Sequence, residues 1–196
     1  MAVEQKTLNV GLRQLWTDVR QNRHRFRQAV GGAFAVCVIA LAHPVLLGVI
    51  IGGILCALGA FMRTWAAGYV FKNHVLETRG PYAFVRHPQY LGNFLLALGL
   101  CLAADLPLAV LVWAALFVLF YTPAIQHEDD KLNKRFGDAW TEWARGRPAI
   151  IPLRRPRAGW SAHVFEWSVR QWARNGEPIW MSLLTIGFLT IVFRLP

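Results

Sequence analysis

Apolar residues gather in five runs along the chain, at 29–42, 45–62, 91–104, 108–124 and 179–193. A helix crossing a bilayer needs about 20 such residues. The runs read as membrane helices, with 29–42 and 91–104 on the short side. Proline rarely sits in a helix beyond its first turn. His43-Pro44 therefore predicts the turn of a helical hairpin over 29–62. Asp105-Leu106-Pro107 makes a tight turn between the third and fourth runs, and Pro178 and Pro196 bound the last.

Two polar stretches carry helical periodicity of their own. Leu8, Leu12, Leu15, Trp16, Val19 and Phe26 recur at roughly helical spacing, with Arg13, Arg20, Arg23, Arg25 and Arg27 between them. This reads as an amphipathic helix lying on the membrane surface; a basic flank orienting the first span is the other reading. Phe165, Val169 and Trp172 share one helix face, and Glu166, Arg170 and Arg174 another. A second interfacial helix is expected there, near 160–176. The expected fold is an all-α integral membrane protein with about five transmembrane helices. It divides into an N-terminal interfacial helix (1–28), a membrane core (29–157) and a C-terminal interfacial helix with the last span (158–196).

Composition agrees with this pattern. The 196 residues are 55% hydrophobic, with mean hydropathy +0.34. Charged residues make up 16%, against about 25% in a typical soluble domain. The formal charge of +10 suggests nucleic acid in a soluble chain. Here the bases lie between apolar runs, so they read as a topology signal, with membrane lipids rather than nucleic acid as surroundings. Lys and Arg number six in 1–28, four in 63–88 and ten in 124–178, and Arg194 completes the 21. Five spans with a cytoplasmic N-terminus place those three basic segments on one side. The polar N-terminal stretch does not fit a cleavable signal peptide. Cys37, Cys56 and Cys101 all lie inside apolar runs, and no metal-ligand spacing or disulfide framework is visible.

The candidate chemistry lies in two polar segments flanking the third and fourth runs. The first, residues 74–92, reads HVLETRGPYAFVRHPQYLG. Gly80-Pro81 is a turn signal, and Pro88 disfavours helix at His87 while suiting the first turn of the next helix. Arg86 and His87 thus stand at the mouth of a helix entering the membrane. On position alone, each reads equally as an interface anchor or a functional group. The second segment, residues 127–140, reads HEDDKLNKRFGDAW. Glu128, Asp129 and Asp130 oppose the local basic trend; alone they read as a solvated charge run paired with Lys131, Lys134 and Arg135. A helical hairpin between the segments brings both to one membrane face.

Together, the segments resemble the isoprenylcysteine carboxyl methyltransferase family and its phospholipid methyltransferase relatives. The family pattern is H-x-L-x-T-x-G-x-Y, then R-H-P-x-Y-x-G, then E-E-x-x-L-x-x-x-F-G after a hairpin. His74, Leu76, Thr78, Gly80 and Tyr82 fill the first part, and Arg86, His87, Pro88, Tyr90 and Gly92 the second. Glu128, Leu132, Phe136 and Gly137 fill the third. Asp129 replaces the second Glu, and Trp140 and Trp143 stand where tyrosines are usual.

The resemblance implies an S-adenosylmethionine site on the cytoplasmic face, with S-adenosylhomocysteine as product. The acceptor is then a hydrophobic or lipid substrate bearing a carboxylate, amine or thiol. His74, Leu76, Gly80, Tyr82, Arg86, His87, Tyr90, Glu128 and Asp129 are the implied cofactor-binding residues, with Arg86 and Glu128 closest to catalysis. Arg86 can pair a carboxylate bidentately, and Glu128 and Asp129 can accept from hydroxyls or an ammonium. No metal is implied.

Two other readings remain open. Sterol-type reductases using NADPH resemble the chain in an RHPxY-like element and in Phe136, Gly137 and Trp140. They favour Asn where Gln89 stands and have more spans. A non-catalytic lipid-binding membrane protein explains the basic face but not the paired segments. The topology is testable now. Reporter fusions should place the N-terminus in the cytoplasm and the C-terminus on the far side. Both ends on one side would mean that one of the short runs does not cross.

Overall fold

The computed structural model describes residues 23–69, 75–152 and 167–196, with side chains from Phe26 onward. The elements are α1 (Arg23–Ala40), α2 (Leu46–Ala67), a 3-10 turn (Gly80–Ala83), α3 (Pro88–Ala103), α4 (Pro107–Phe136), α5 (Asp138–Ala144), α6 (Val169–Arg174) and α7 (Glu177–Val192). Among the described residues there is no strand. Residues 38–196 form one compact unit, and most of α1 belongs to another.

Prolines and turn residues set the boundaries, as expected from their chemistry. Pro88, Pro107 and Pro178 each sit in a first helical turn, where the missing N–H has no intrahelical partner to lose. Asp105, at φ +54°, reverses the chain between α3 and α4. Gly137, also at φ +54°, ends α4.

The α2–α3 pair is an antiparallel contact between backbones. A Cβ on Gly99 would lie 2.6 Å from the Gly52 carbonyl oxygen, and one on Gly59 would lie 2.8 Å from that of Gly92. Between them, the Cys56 thiol meets the Leu96 carbonyl oxygen at 3.5 Å. Larger residues at the four glycines would force the helices apart, which is how small residues direct helix association in lipid.

The outward faces are apolar. Leu47 and Leu108 are 67% and 71% exposed, and Ile54, Phe61, Leu111, Val118, Ile179 and Ile186 are exposed with them. A continuous surface of this kind suits hydrocarbon rather than water. Among the described residues, two helices are long and apolar enough to cross a membrane: Leu46–Ala67, with 22 residues, and Pro107–Phe136, with 30. Phe26–Ala40, Pro88–Ala103 and Glu177–Val192 are apolar but shorter. Of the five expected spans, then, two reach crossing length by themselves.

Several expected boundaries moved. The second run continues past Arg63 to Ala67, because Arg63 is neutralised inside the protein. Its guanidinium donates to Glu177 at 2.7 and 3.1 Å and also to the Asn93 side chain. The fourth run continues as helix to Phe136, so Glu128, Asp129 and Asp130 are helical. The hairpin turn near His43-Pro44 is present at 41–45, held by His43 N–H donating to Ala104 O at 3.0 Å. The N-terminal interfacial helix lies outside the described residues up to 22, and α1 runs unbroken through the expected boundary at 28/29. Near 160–176 the helix is observed only as Val169–Arg174, since Ser168 is extended and caps it; 153–166 lie outside the described residues.

The C-terminal segment closes α2. Carbonyls in a helix's last turn lack intrahelical partners. The Trp167 indole donates to Thr64 O at 3.0 Å, the Asn175 amide to Ala67 O at 2.8 Å and Ser168 N–H to Gly68 O at 3.1 Å. At the far end, the Arg194 guanidinium donates to Ile39 O and Ala40 O at 2.6 and 3.0 Å.

Glu177 is 2% exposed and Arg63 is 14% exposed, so neither charge can turn to water. Glu177→Ala should destabilise the protein by about 3–5 kcal/mol by orphaning Arg63. An apolar replacement of both partners should recover much of the loss. Thermal denaturation in detergent of the single and double variants checks this; equal melting temperatures for wild type and Glu177→Ala would contradict it.

Candidate functional site

The site forms where the start of α3 meets the polar end of α4. The approach to α3 is folded by local hydrogen bonds. The Glu77 carboxylate accepts from Thr78 N–H and Arg79 N–H at 3.1 and 3.0 Å, and from the Arg79 guanidinium at 2.7 and 2.8 Å. That bond holds the Arg79 guanidinium above its ordinary pKa. Gly80, at φ +54°, lies against the Tyr69 ring, where a Cβ would come within 2.7 Å of Cε2.

The 3-10 turn then leads into Arg86 and His87. Their backbone N–H groups donate to Pro148 O and Ala149 O at 3.0 and 2.8 Å. Pro88 keeps His87 out of helical conformation, at φ −127° and ψ 65°. Both side chains are therefore aimed by a fixed, non-helical backbone.

Helix α4 supplies the acids. Asp129 forms an ion pair with Arg86 Nη2 at 3.0 Å and pairs with His87 Nε2 at 2.9 Å. Tyr90, one turn into α3, donates its hydroxyl to Glu128 at 2.7 Å. His87 Nδ1 lies 3.7 Å from the same Glu128 oxygen. The His87 and Tyr90 rings stack at 5.4 Å. Side-chain exposure separates the acids: Asp129 is at 15% and Glu128 at 47%.

An aromatic column below the site ties the two helices together. Tyr90 meets Tyr121 edge-on at 5.2 Å, Tyr121 stacks on Phe117 at 4.3 Å, and Phe117 meets Phe94 at 4.9 Å. The Trp113 indole donates to Phe94 O at 3.3 Å. Helix α5 and the loop after it form another wall. Arg86 lies over the Trp140 ring at 6.0 Å, and Arg147 over Trp143 at 5.5 Å. Arg147 also donates to Ala83 O at 3.3 Å and to Trp143 O.

Five residues singled out in the sequence are thus brought together: Arg86, His87, Tyr90, Glu128 and Asp129. Gly80 and Tyr82 lie on the turn that leads to them, and Leu76 precedes it, half-buried. Burial pushes the Tyr82 phenol well above its ordinary pKa, with Glu128 and Glu77 adding to the effect. His74 lies outside the described residues. Glu77, Arg147 and the carbonyls of Pro148 and Ala149 are structural supports of these residues that the sequence reading missed. Backbone acceptors leave no trace in residue type, and Arg147 looks like one more member of a basic run.

Comparison with known proteins identifies relatives of the chain. The chain is 38% identical over 107 residues to the cobalt-zinc-cadmium resistance protein CzcN of Cupriavidus metallidurans, covering 52% of this chain and 49% of that one. It is 34% identical over 113 residues to the protein-S-isoprenylcysteine O-methyltransferase of Schizosaccharomyces pombe, covering 52% and 48%. It is 32% identical over 130 residues to the nickel-cobalt-cadmium resistance protein NccN of Alcaligenes xylosoxydans xylosoxydans, covering 63% and 58%. The chain therefore spans about half the length of the curated relatives it matches. No solved structure matches it. The model of the isoprenylcysteine carboxyl methyltransferase (ICMT) family matches residues 40–134, which hold the α2–α3 contact, the Arg86–Tyr90 element and the acids of α4. Over these residues, just under half of its length, the chain is similar to the isoprenylcysteine carboxyl methyltransferase family.

Proposed function

We propose that this chain is a membrane methyltransferase that uses S-adenosylmethionine and methylates a carboxylate on a hydrophobic acceptor. The observation that carries the reading is the convergence of Arg86, His87 and Tyr90 with Glu128 and Asp129, two segments some 40 residues apart joined within 3.0 Å. Relatives named protein-S-isoprenylcysteine O-methyltransferases favour a thioether-bearing, prenyl-like acceptor over an amine or a thiol. The basic segments favour five spans, a cytoplasmic N-terminus and a site opening to the cytoplasm.

The donor set fits the cofactor. S-adenosylmethionine carries a carboxylate, an ammonium and a ribose diol, and it supplies an electrophilic methyl on a sulfonium. Glu128, at 47% side-chain exposure, retains room to accept from an ammonium or a hydroxyl. Asp129 is ion-paired with Arg86 and hydrogen-bonded to His87 Nε2, so it orients two side chains at once. Arg86 keeps a buried Nε–H with no acceptor. Leu76, Gly80 and Tyr82, with His74, complete the proposed binding set.

The residues' task is placement. A carboxylate acceptor is already ionised near neutral pH and needs no base. Holding it in line with the methyl can supply much of the rate. The aromatic column and the α5 wall limit water around the reacting groups.

Calorimetry in detergent should show S-adenosylhomocysteine binding without added metal. Glu128→Gln and His87→Ala should each weaken it by roughly 10- to 100-fold, the loss of a charge-assisted hydrogen bond. No binding by folded wild-type protein would end this reading. Normal binding by both variants would move the site elsewhere.

A further inference from the structure

Buried hydrogen-bond donors without acceptors are uncommon in folded proteins, because each forfeits its hydration for nothing. Among the described residues, four buried side-chain donors lack a partner: Arg86 Nε, Trp140 Nε1, Trp143 Nε1 and Trp172 Nε1. The first three belong to one wall of the site. Arg86 lies 6.0 Å over the Trp140 ring. Trp140 and Trp143 are three residues apart on α5, a spacing that puts them on one helix face.

The chemistry of this set is one-sided. An indole N–H and a guanidinium N–H can only donate. The guanidinium already gives Nη2 to Asp129, which leaves the Nε edge to another acceptor. The acids face elsewhere in the hydrogen-bond pattern: Asp129 is taken by Arg86 and His87, and Glu128 by Tyr90. These donors therefore lack an acceptor, and a carboxylate, with two oxygens, can take more than one of them.

We infer that Arg86 Nε–H and Trp140 Nε1–H, with Trp143 beside them, form a carboxylate-binding subsite on the α5 wall. The inference rests on the proposed function for the identity of its ligand. Two carboxylates meet at such a site, that of the cofactor's amino-acid end and that of the acceptor. The donor set is common to both, and Trp140 is a specificity-determining residue in either case.

The test uses the full chain in detergent and the variants Trp140→Phe and Trp143→Phe, which keep an aromatic ring and remove only the indole N–H. Melting temperatures near wild type establish that the wall is intact. One arm compares binding of S-adenosylhomocysteine with that of 5′-methylthioadenosine, which lacks the amino-acid end. The other compares S-farnesylcysteine with its carboxamide. Loss of one N–H to a carboxylate should cost roughly 10-fold in affinity. If Trp140→Phe loses that factor on S-adenosylhomocysteine but not on 5′-methylthioadenosine, the subsite takes the cofactor's carboxylate. If it loses it on S-farnesylcysteine but not on the carboxamide, the subsite takes the acceptor's. If neither preference falls in either variant, the subsite does not exist. Wild-type protein that binds neither nucleoside would refute the proposed cofactor instead, and the acceptor arm alone would then decide the subsite.

Discussion

The close approach of α2 and α3 fixes everything that follows it in the chain. Lipid offers no hydrophobic drive to press two apolar helices together, so their association depends on backbone fit. Gly52 facing Gly99, and Gly59 facing Gly92, provide that fit. The register they set also places the Arg63 side-chain stem against Gly92, where a Cβ would come within 2.5 Å of Arg63 Cγ. The start of α3 is thereby held against the end of α2. Arg86 and His87, just before it, then have one position relative to the bundle.

Charge at this end is held by pairing rather than by water. Arg63 finds Glu177, Arg79 finds Glu77, and Arg86 and His87 share Asp129. The Arg79–Glu77 pair is local, but the other two join segments distant in the chain. The Arg63–Glu177 pair is the most buried. It brings α7, from beyond the family-matched residues, onto α2 and α3. Together with the indole and amide that cap α2, it makes the C-terminal helix part of the core rather than an appended anchor.

The sequence revealed most where residue type and structure are tied directly. Long apolar runs, prolines at helix starts and the two polar segments all have local causes, and α2, α3, α4 and α7 follow from them. It was weakest where a partner distant in sequence decides the outcome. Nothing near Arg63 announces that α2 continues through it, because Glu177 is 114 residues away. The acids at 128–130 read as a solvated charge run until α4 is seen to carry them as helix to the mouth of α3. Pro148 and Ala149 act through their carbonyls, which any residue could provide. Periodicity suggests helix across the aromatic segment near 160–176, and among the described residues it is seen over Val169–Arg174, where Ser168 accepts from Gln171 N–H as N-cap.

The balance of charge in the site bears on how the proposed reaction would turn over. Arg86 with Glu128 and Asp129 gives the cluster one net negative charge when His87 is counted neutral. S-adenosylmethionine, with its sulfonium, is net positive; S-adenosylhomocysteine is not. In the proposed function the acids would favour the charged donor over its product. An anionic acceptor is repelled by the same acids and needs donors of its own. Arg86 Nε–H and the Trp140 and Trp143 indoles are donors without partners beside the acids, and Arg86 itself meets Asp129 through Nη2 at 3.0 Å. In the proposed function Arg86 therefore stands between the two sets, its Nη2 edge on Asp129 and its Nε edge left for an anion, which is how one small site would hold a cation and an anion side by side.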